Sequence, residues 1–414
     1  MKHNFRIIIG MLLLAIPLCM NAQVKPIKPA EEPKKVKVEK VEQEKLEKEM
    51  ADKESREKKE HKGGFEMPKI SGFVQGMYIA NLSDNGELKD NTLRMRRVRL
   101  SVDGTLFKGL TYKIQGDFSR SPMLVDAYLK YKVADAFAIQ LGQFKTPFTL
   151  ESPINPVNLE IFDYGESVQK LVGYSDVCGV GSLGRDLGLM ATGDLFPVKG
   201  EEGIKYHVVN YAIGVFNGNG ANQLDNNNRK DIVGRLEVHP GLKALTLSGS
   251  YYHGLYRNAT IEDQIESNGL AVGKVAFPNG IRNRWAAGIQ YNDGKLVLRG
   301  EYISGKTGCK IGGLAEQGDP IVLDHIQYSN GYYAVAGYNF AFGKEKSQKL
   351  MPVLRYEHFA ADKAVVNGGT NWYTAGINYW PLKSVNCKLD YSFVQQKETG
   401  TNSHRIVAMV SYKF

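Results

Sequence analysis

From Lys69 to Phe414 the chain is a long series of segments, each about ten residues long, in which apolar and polar residues alternate. A period of two places apolar side chains on one face of a β-strand and polar side chains on the other. The segments "DAYLKYKV" and "RIVAMVSYKF" show the pattern, and we count sixteen such segments in all. Any fold for this chain must therefore accommodate many long, two-faced strands.

Two architectures use such strands. A soluble sandwich or propeller turns the apolar faces inward, whereas a transmembrane barrel turns them outward to lipid and keeps a polar lumen. Strand length favours the barrel, because globular strands average about five or six residues and membrane strands need about 9–11. Aromatic residues near segment ends and turns such as Asn292-Asp293-Gly294 agree with this choice. We predict an all-β fold, a 16-stranded antiparallel transmembrane β-barrel with a charged N-terminal extension.

The N-terminus has a different composition. Lys2 and Arg6 precede a short apolar run that ends at Ala22, which is the pattern of a secretory signal peptide. We predict a signal peptide at 1–22, a charged periplasmic linker at 23–64 and the barrel domain at 65–414. The Glu- and Lys-rich linker fits a solvated segment or a helix that forms a short coiled coil, and both alternatives stay open.

Composition also excludes several function classes. The mean hydropathy of −0.32 argues against a helical membrane protein, and a net charge of +9 over 414 residues is too small to indicate nucleic-acid binding. The cysteines that would remain after cleavage, Cys178, Cys309 and Cys387, form neither a disulfide framework nor a metal motif. The histidines are dispersed and no nucleophile constellation stands out. We therefore expect no cofactor, no metal and no enzymatic activity.

The stretch "TLRMRRVRLSVDG" at 92–104 carries the strongest functional signal. Four arginines alternate with apolar residues, but Leu93 and Met95 are out of phase with Val98. This shift predicts a β-bulge at Arg96-Arg97 that keeps both side chains on the lumen face. The alternation alone places these basic residues in the lumen: Arg94, Arg99, Lys113, Lys130 and Lys132.

A long insertion at 146–184 interrupts the strand series. Pro147, Pro153 and Pro156 block regular pairing there. Loops of this length commonly act as lids or constrictions, so we expect this one to fold into the barrel and narrow it. The alternative is a loop on the surface.

Several motifs in the same order carry a resemblance to a known family. The segments are "RMRRVRLSVDG", "DAYLKY", "LGQFKTPFTLES", "GRDLGLMATGDL" and "GVFNGNGANQLDNNNRKDIVGRLEVHP", with an aromatic residue at the C-terminus. Residues 69–414 resemble the phosphate-selective porin O/P family of Gram-negative outer membranes. The resemblance implies a homotrimer with a narrow anion pore, in which arginines and an aspartate line the constriction. The residues that match the family's motifs are Arg96, Arg97, Asp126, Lys145 and Arg185.

These observations predict an outer-membrane porin that gives passive, anion-favouring diffusion through a lumen lined by Arg and Lys. Small anions such as phosphate would be the permeants, lipid and two further copies of the chain would be the partners, and no nucleic acid is expected. One alternative is a general or structural porin without phosphate selectivity, and another is an outer-membrane enzyme on the same fold. Arg96 and Arg97 also fit a salt-bridge network that only stiffens the barrel.

Overall fold

The structure is a computed structural model that describes residues 67–181, 183–256, 280–308, 310–314, 320–324, 326–366 and 368–414. The predicted signal peptide at 1–22 and the predicted linker at 23–64 lie outside the described residues. None of the helices in the described ranges is long and apolar enough to cross a membrane.

Strands dominate the described chain. Two helical segments lie in the 146–184 loop: a 3₁₀ turn, Pro156–Asn158, and the helix α1, Glu166–Leu171; another 3₁₀ turn is Lys344–Lys346. The strands are β1 (Lys69–Ser83), β2 (Leu88–Phe107), β3 (Leu110–Asp117), β4 (Leu124–Ala134), β5 (Phe137–Lys145), β6 (Arg185–Gly200), β7 (Gly203–Phe216), β8 (Asp231–Val238), β9 (Leu245–His253), β10 (Leu255–Tyr256), β11 (Gly280–Asn292), β12 (Leu296–Gly308), β13 (Lys310–Leu314), β14 (Pro320–Asp324), β15 (Gln327–Tyr338), β16 (Phe340–Phe342), β17 (Gln348–Ala360), β18 (Thr370–Leu382), β19 (Val385–Gln396) and β20 (Thr401–Lys413).

All strands except β13 and β14 belong to one antiparallel sheet, and those two form a separate hairpin. The short strands β10 and β16 continue β9 and β15, so the barrel wall consists of 16 strands in all. We call each of these wall strands a stave, counting an interrupted strand once. It closes on itself because β1 pairs with β20, from Phe73 opposite Lys413 to Ser83 opposite Ser403. Closure satisfies the backbone groups that an open edge would expose to hydrocarbon. The predicted 16-stranded antiparallel barrel is confirmed.

The two ends of the barrel differ in their connections. At the end that holds Lys69 and Lys413, which we call the terminal end, neighbouring staves are joined by connections of two to six residues. The opposite end, which we call the loop end, carries the 146–184 insertion. The predicted Asn292-Asp293-Gly294 turn lies at the terminal end, where Gly294 has φ +88° and the Asp293 carboxylate accepts from the backbone of Leu296 at 2.7 Å. A positive φ of this kind favours glycine.

The strand β2 contains the predicted bulge. Gln75 of β1 lies opposite Arg97, whereas the next residue, Gly76, lies opposite Met95, so Arg96 is the extra residue. The bulge restores the phase of the alternation: Leu93 and Val98 both face outward, and Arg94 and Arg97 both face the lumen. The prediction of a bulge at Arg96-Arg97 is confirmed.

The polarity of the wall is inverted relative to a globular protein. Along β12, Leu298 and Tyr302 face outward and are exposed, whereas Arg299, Glu301 and Ile303 face inward and are buried. The same alternation runs around the barrel, with exposed aliphatic residues outside and buried charged residues inside. An apolar exterior of this kind suits a hydrocarbon surrounding.

The 146–184 loop folds into the barrel, as predicted. Phe148, Val168 and Leu171 of the loop are fully buried and belong to one apolar cluster with inward-facing wall residues such as Phe216 and Ile303. The phenyl ring of Phe148 makes an edge contact with Tyr252 of β9, with 6.0 Å between centroids. The core of the protein therefore lies between the loop and the inner wall, and the loop occupies a large part of the lumen.

Candidate permeation site

Basic residues cluster on the inner wall of β2–β6. Arg97 and Arg99 lie opposite Gln75 and Phe73 of β1, and both are buried. Arg94 lies closer to the loop end, opposite Met77, and its side chain is exposed. These positions form a row of guanidinium groups along the lumen face of β2.

Arg96 and Arg97 hold one carboxylate of the loop. The Arg97 guanidinium donates to Asp163 Oδ1 at 2.7 Å, and the Arg96 guanidinium donates to Asp163 Oδ2. Because of the bulge, two consecutive arginines reach the same side of the strand. Burial would raise the pKa of Asp163, but Arg97 and Arg96 outweigh it and hold the pKa well below its ordinary value. The pair therefore anchors the loop to β2 through a charged carboxylate.

Arg99 and Arg185 have carboxylate partners on the neighbouring wall strands. Arg99 Nε donates to Asp117 at 2.9 Å. Arg185 is bidentate on Asp126, with contacts of 2.7 and 3.2 Å. Both side chains are only 4% exposed, so they lie in the covered middle of the lumen. Asp126 thus lies on the inner side of the wall and orients Arg185 there.

Lys145, at the end of β5, contacts three oxygens of the loop that begins immediately after it. Its Nζ donates to the Tyr164 hydroxyl at 2.8 Å, to the carbonyl of Ile154 at 2.9 Å and to the carbonyl of Ser152. All of its donors are therefore used within the loop. The structure places Lys145 in the site as an anchor of the loop rather than as an exposed charge.

The other predicted lysines, Lys113, Lys130 and Lys132, lie nearer the terminal end. Lys113 faces the lumen opposite Asp103 and Tyr128, and Lys130 lies opposite Gln140. Both are half-buried, and neither forms an ion pair with a carboxylate of the described residues. Lys132 is more than half exposed and pairs with Asp135 in the following turn at 2.7 Å. The structure thus groups the arginines toward the loop end and separates them from the lysines.

A second set of charged contacts ties the loop to β11–β19, and sequence reasoning missed it. The Glu151 carboxylate accepts hydrogen bonds from both Nη atoms of Arg355 at 2.5 and 3.1 Å, and Glu160 forms an ion pair with Arg299. Asp176 accepts from Arg284 at 2.7 Å through each oxygen and from Arg282 at 3.2 Å. The period-two spacing in "RNRW" at 282–285 was the available signal that these arginines share a face.

The loop backbone is also held by charged residues of β19. Lys388 Nζ donates to the carbonyls of Ile161 at 3.2 Å and of Leu159, and the Asp390 carboxylate accepts from the amide of Phe162 at 2.8 Å. These contacts pin both sides of a single loop segment. Removing one partner from a buried charged contact commonly costs about 3–5 kcal/mol, so these contacts strongly favour the inward position of the loop.

The described residues contain no group of three or more His, Cys, Asp or Glu side chains arranged to hold a metal ion. The site consists of guanidinium, ammonium and carboxylate groups around a loop. Such an arrangement can bind charged solutes and let them move through the lumen.

Solved structures with a similar fold include an anion-selective porin and an outer-membrane channel. An anion-selective porin from Comamonas acidovorans is 15% identical with a TM-score of 0.57, and the match covers 84% of this chain and 99% of that one. The outer-membrane channel DcaP of Acinetobacter baumannii is 14% identical with a TM-score of 0.56, covering 85% and 98%. OmpF of Salmonella typhi, solved with daunomycin, is 14% identical with a TM-score of 0.56, covering 84% and 97%. These likenesses establish the fold.

No curated protein matches the sequence. The family model described as phosphate-selective porin O and P matches residues 69–414, the whole strand series from β1 to the C-terminus. Together with the closed 16-stave barrel, this match shows a channel of the Gram-negative outer membrane rather than an enzyme. The chain belongs to the phosphate-selective porin O and P family.

Proposed function

We propose that this porin favours anions and that they pass along the β2–β6 side of the lumen. The supporting observation is a set of basic side chains there that form no ion pair among the described residues, faced by Asp103, which lies opposite Lys113 in the register. Arg94 is exposed, Lys113 and Lys130 are half-buried, and none of the three forms an ion pair with a carboxylate in the described ranges. A wall with uncompensated positive charge attracts anions and repels cations.

The proposed path has three parts. Arg94 and Arg96 would capture the anion from the loop end, and Lys113, Lys130 and Lys132 would release it toward the terminal end. Between them lie Arg97, Arg99 and Arg185, each of which already holds a carboxylate. We infer that an entering oxyanion competes with these carboxylates for guanidinium donors, which keeps its binding weak enough for release.

Reversal potentials in a KCl gradient across a planar bilayer test the proposal. The triple variant Arg94→Ala, Lys113→Ala, Lys130→Ala should lose most of the anion preference. A matched control, Lys243→Ala with Lys383→Ala, removes two exposed lysines outside the β2–β6 wall and should leave the reversal potential unchanged. An unchanged reversal potential in the triple variant would overturn the proposed path.

Phosphate selectivity rests on the chemistry of the guanidinium groups. Two arginines that converge on one carboxylate, as Arg96 and Arg97 do on Asp163, also fit the oxygens of a phosphate. A general porin without phosphate selectivity is the second candidate, and it is favoured by the carboxylate that each mid-lumen guanidinium already holds. Millimolar phosphate should block chloride current if phosphate binds the row, and should leave it unchanged in a general porin.

We also propose a homotrimer whose contact face is the outer surface of β2–β8. Near the loop end, neighbouring staves β11 to β19 carry a continuous band of aromatic rings, whereas β2–β8 expose mainly aliphatic residues and the isolated ring of Phe118. The aliphatic residues are Met95, Leu124, Leu187, Val215 and Ile232. A stretch without an aromatic girdle suits contact with another copy of the chain rather than with the lipid interface. Native mass spectrometry in detergent measures the stoichiometry.

For the N-terminal region we propose that residues 1–22 are removed and that 23–64 remain as a periplasmic linker to the 65–414 barrel. The support is compositional: an apolar run after Lys2 and Arg6, then a Glu- and Lys-rich stretch. Intact mass of the protein purified from outer membranes should correspond to a chain that begins at Gln23. A mature chain that begins at Met1 would overturn this division.

A further inference from the structure

Outward-facing rings form a band around the loop-end part of β11–β19. Trp285 contacts Tyr302 with 5.2 Å between ring centroids, and the contacts continue stave by stave through Tyr332 and Tyr356 to Tyr373 at 5.1–6.4 Å. Aromatic girdles of this kind mark the boundary between hydrocarbon and headgroups. The band therefore sets the height of the membrane interface on this side of the barrel.

Two lysines converge on one ring above that boundary. Lys306 lies four residues beyond Tyr302 on β12, which is about 13 Å along the strand and about 10 Å along the membrane normal for a tilted stave. Tyr328 of β15 lies opposite Lys306 in the register. The Lys306 Nζ lies 5.7 Å from the centroid of the Tyr328 ring, and the Lys363 Nζ lies 5.1 Å from the same centroid.

The backbone fixes this arrangement. The amide of Lys363 donates to the carbonyl of Tyr328 at 2.8 Å, so the loop that follows β17 is tied to β15. The carboxylate of the adjacent Asp362 accepts from the amide of Ala364 at 2.9 Å and caps the turn. Neither Lys306 nor Lys363 forms an ion pair with a carboxylate of the described residues.

Two ammonium groups beside one ring, neither with a carboxylate partner among the described residues, make a local positive charge that an anion can neutralise. The long-loop end of outer-membrane barrels faces the cell exterior, where the lipid leaflet of Gram-negative bacteria carries phosphorylated glycolipid. Basic clusters at headgroup height attract anionic headgroups by about 1 kcal/mol per lysine. The height, the charge and the exposed phenol of Tyr328 thus match a phosphate group that is attached to a lipid.

We propose that Lys306, Tyr328 and Lys363 bind a phosphate of the outer-leaflet glycolipid. The two ammonium groups hold the phosphate oxygens, and the Tyr328 hydroxyl supplies a further donor at the rim. The site lies on the outer face of the barrel, away from the lumen. It is therefore independent of the proposed anion path.

Binding of purified lipopolysaccharide to the full-length porin in detergent, with EDTA to remove bridging divalent cations, tests the proposal. Lys306→Gln with Lys363→Gln should weaken binding about 30-fold. The control Lys349→Gln removes a lysine that packs on Trp380 at 3.7 Å at the terminal end, and should bind as the wild type does. Enzymatic dephosphorylation of the lipid should weaken wild-type binding to the level of the double variant.

Three results would overturn the proposal: unchanged binding in the double variant, equal binding of the dephosphorylated lipid, or equal loss in the Lys349→Gln control. Displacement by 10 mM inorganic phosphate as effective as displacement by the lipid would show a free-phosphate site instead and would also overturn it. A folded state of each variant is checked by the heat-dependent shift in gel mobility. If the double variant fails to fold, each single substitution should still weaken binding about fivefold.

Discussion

The inner walls of β2–β6 and β11–β19 use the same residue types with different outcomes. On β11–β19, Arg284, Arg299 and Arg355 are each nearly fully buried and each is paired with a carboxylate of the loop. On β2–β6, loop carboxylate Asp163 serves two arginines, and Arg94 and Lys113 form no ion pair among the described residues. The first wall is neutralised by the loop, and the second retains positive charge.

This difference teaches that the number of lumen arginines does not decide selectivity. The opposite charges of a buried ion pair largely cancel each other at a distance. The guanidinium groups of β11–β19 therefore serve to position the loop rather than to attract anions. An exposed or shared guanidinium still attracts an anion. The difference in charge between the two walls therefore depends on where the loop places its carboxylates. Substitutions on either wall can test this difference.

The largest effect is expected from Asp176→Ala on the β11–β19 wall. It leaves Arg282 and Arg284 buried without their carboxylate, which should cost about 3–5 kcal/mol of unfolding free energy. Guanidinium unfolding followed by tryptophan fluorescence measures the loss. The control Asp135→Ala removes an exposed partner of Lys132 and should leave the midpoint unchanged. Equal midpoints for the two variants would show that the loop pairs carry no stability.

Next in size is the change expected for Asp163→Asn on the β2–β6 wall. Removing this charge frees Arg96 and Arg97 and should raise the anion-to-cation permeability ratio by about fivefold, equivalent to about 1 kcal/mol at the site. Reversal potentials measure the ratio. Glu160→Gln removes a loop carboxylate that faces Arg299 on the other wall and should change the ratio much less. A comparable rise in both variants would remove the distinction between the walls.

A smaller effect, on the fraction of monomer, is expected from substitutions on the outer surface of the barrel. Leu187→Ala with Ile232→Ala trims the aliphatic face of β6 and β8 and should raise the monomer fraction about threefold, because helix and strand contacts within lipid depend on packing. Native mass spectrometry measures the fraction. Leu298→Ala with Leu354→Ala trims the aromatic-girdled side and should leave it unchanged. The reverse result would place the contact face on β12–β17.

The smallest expected effect is the response to acid. The pKa of Asp163 and that of Asp176 are both lowered, because nearby arginines outweigh the burial that would raise them. A carboxyl with a lowered folded pKa stabilises the folded state above its unfolded pKa of about 3.9 and loses this contribution only as pH falls through the folded value. The contribution of these two carboxylates to the reversal potential should therefore stay constant from pH 7.5 to 4.5. A wild-type value at pH 4.5 equal to that of Asp163→Asn would contradict this.

The local alternation of apolar and polar residues was sufficient to predict much of the fold. The alternation around Leu298 and Tyr302 predicts an outward apolar face, and the phase shift between Met95 and Val98 predicts the bulge, because both depend only on the two-residue period of a strand. The lumen positions of Lys113 and Asp126 follow from the same period. These features need no knowledge of which strands are neighbours.

The contacts of the loop could not be predicted in this way. Glu151 and Arg355 are separated by 204 positions, and Lys388 meets the carbonyl of Ile161 across 227. Nothing in the composition of 146–184 indicates which wall each acid faces, since that depends on how the closed sheet brings distant staves around the loop. Lys145 shows the same limit: its match to a motif of the family suggested a pore-lining role, whereas its donors are used by the loop.

The hydrogen bonds from Lys388 and Arg355 to the loop have a consequence for the assembly of the porin. The loop follows β5, yet several of the groups that hold it, Arg355, Lys388 and Asp390, belong to β17 and β19 near the end of the chain. These contacts can form only after the sheet has brought β17 and β19 round to the loop. Closure of the barrel and anchoring of the loop are therefore coupled, because a chain without its last staves lacks the groups that hold Glu151, Leu159 and Ile161.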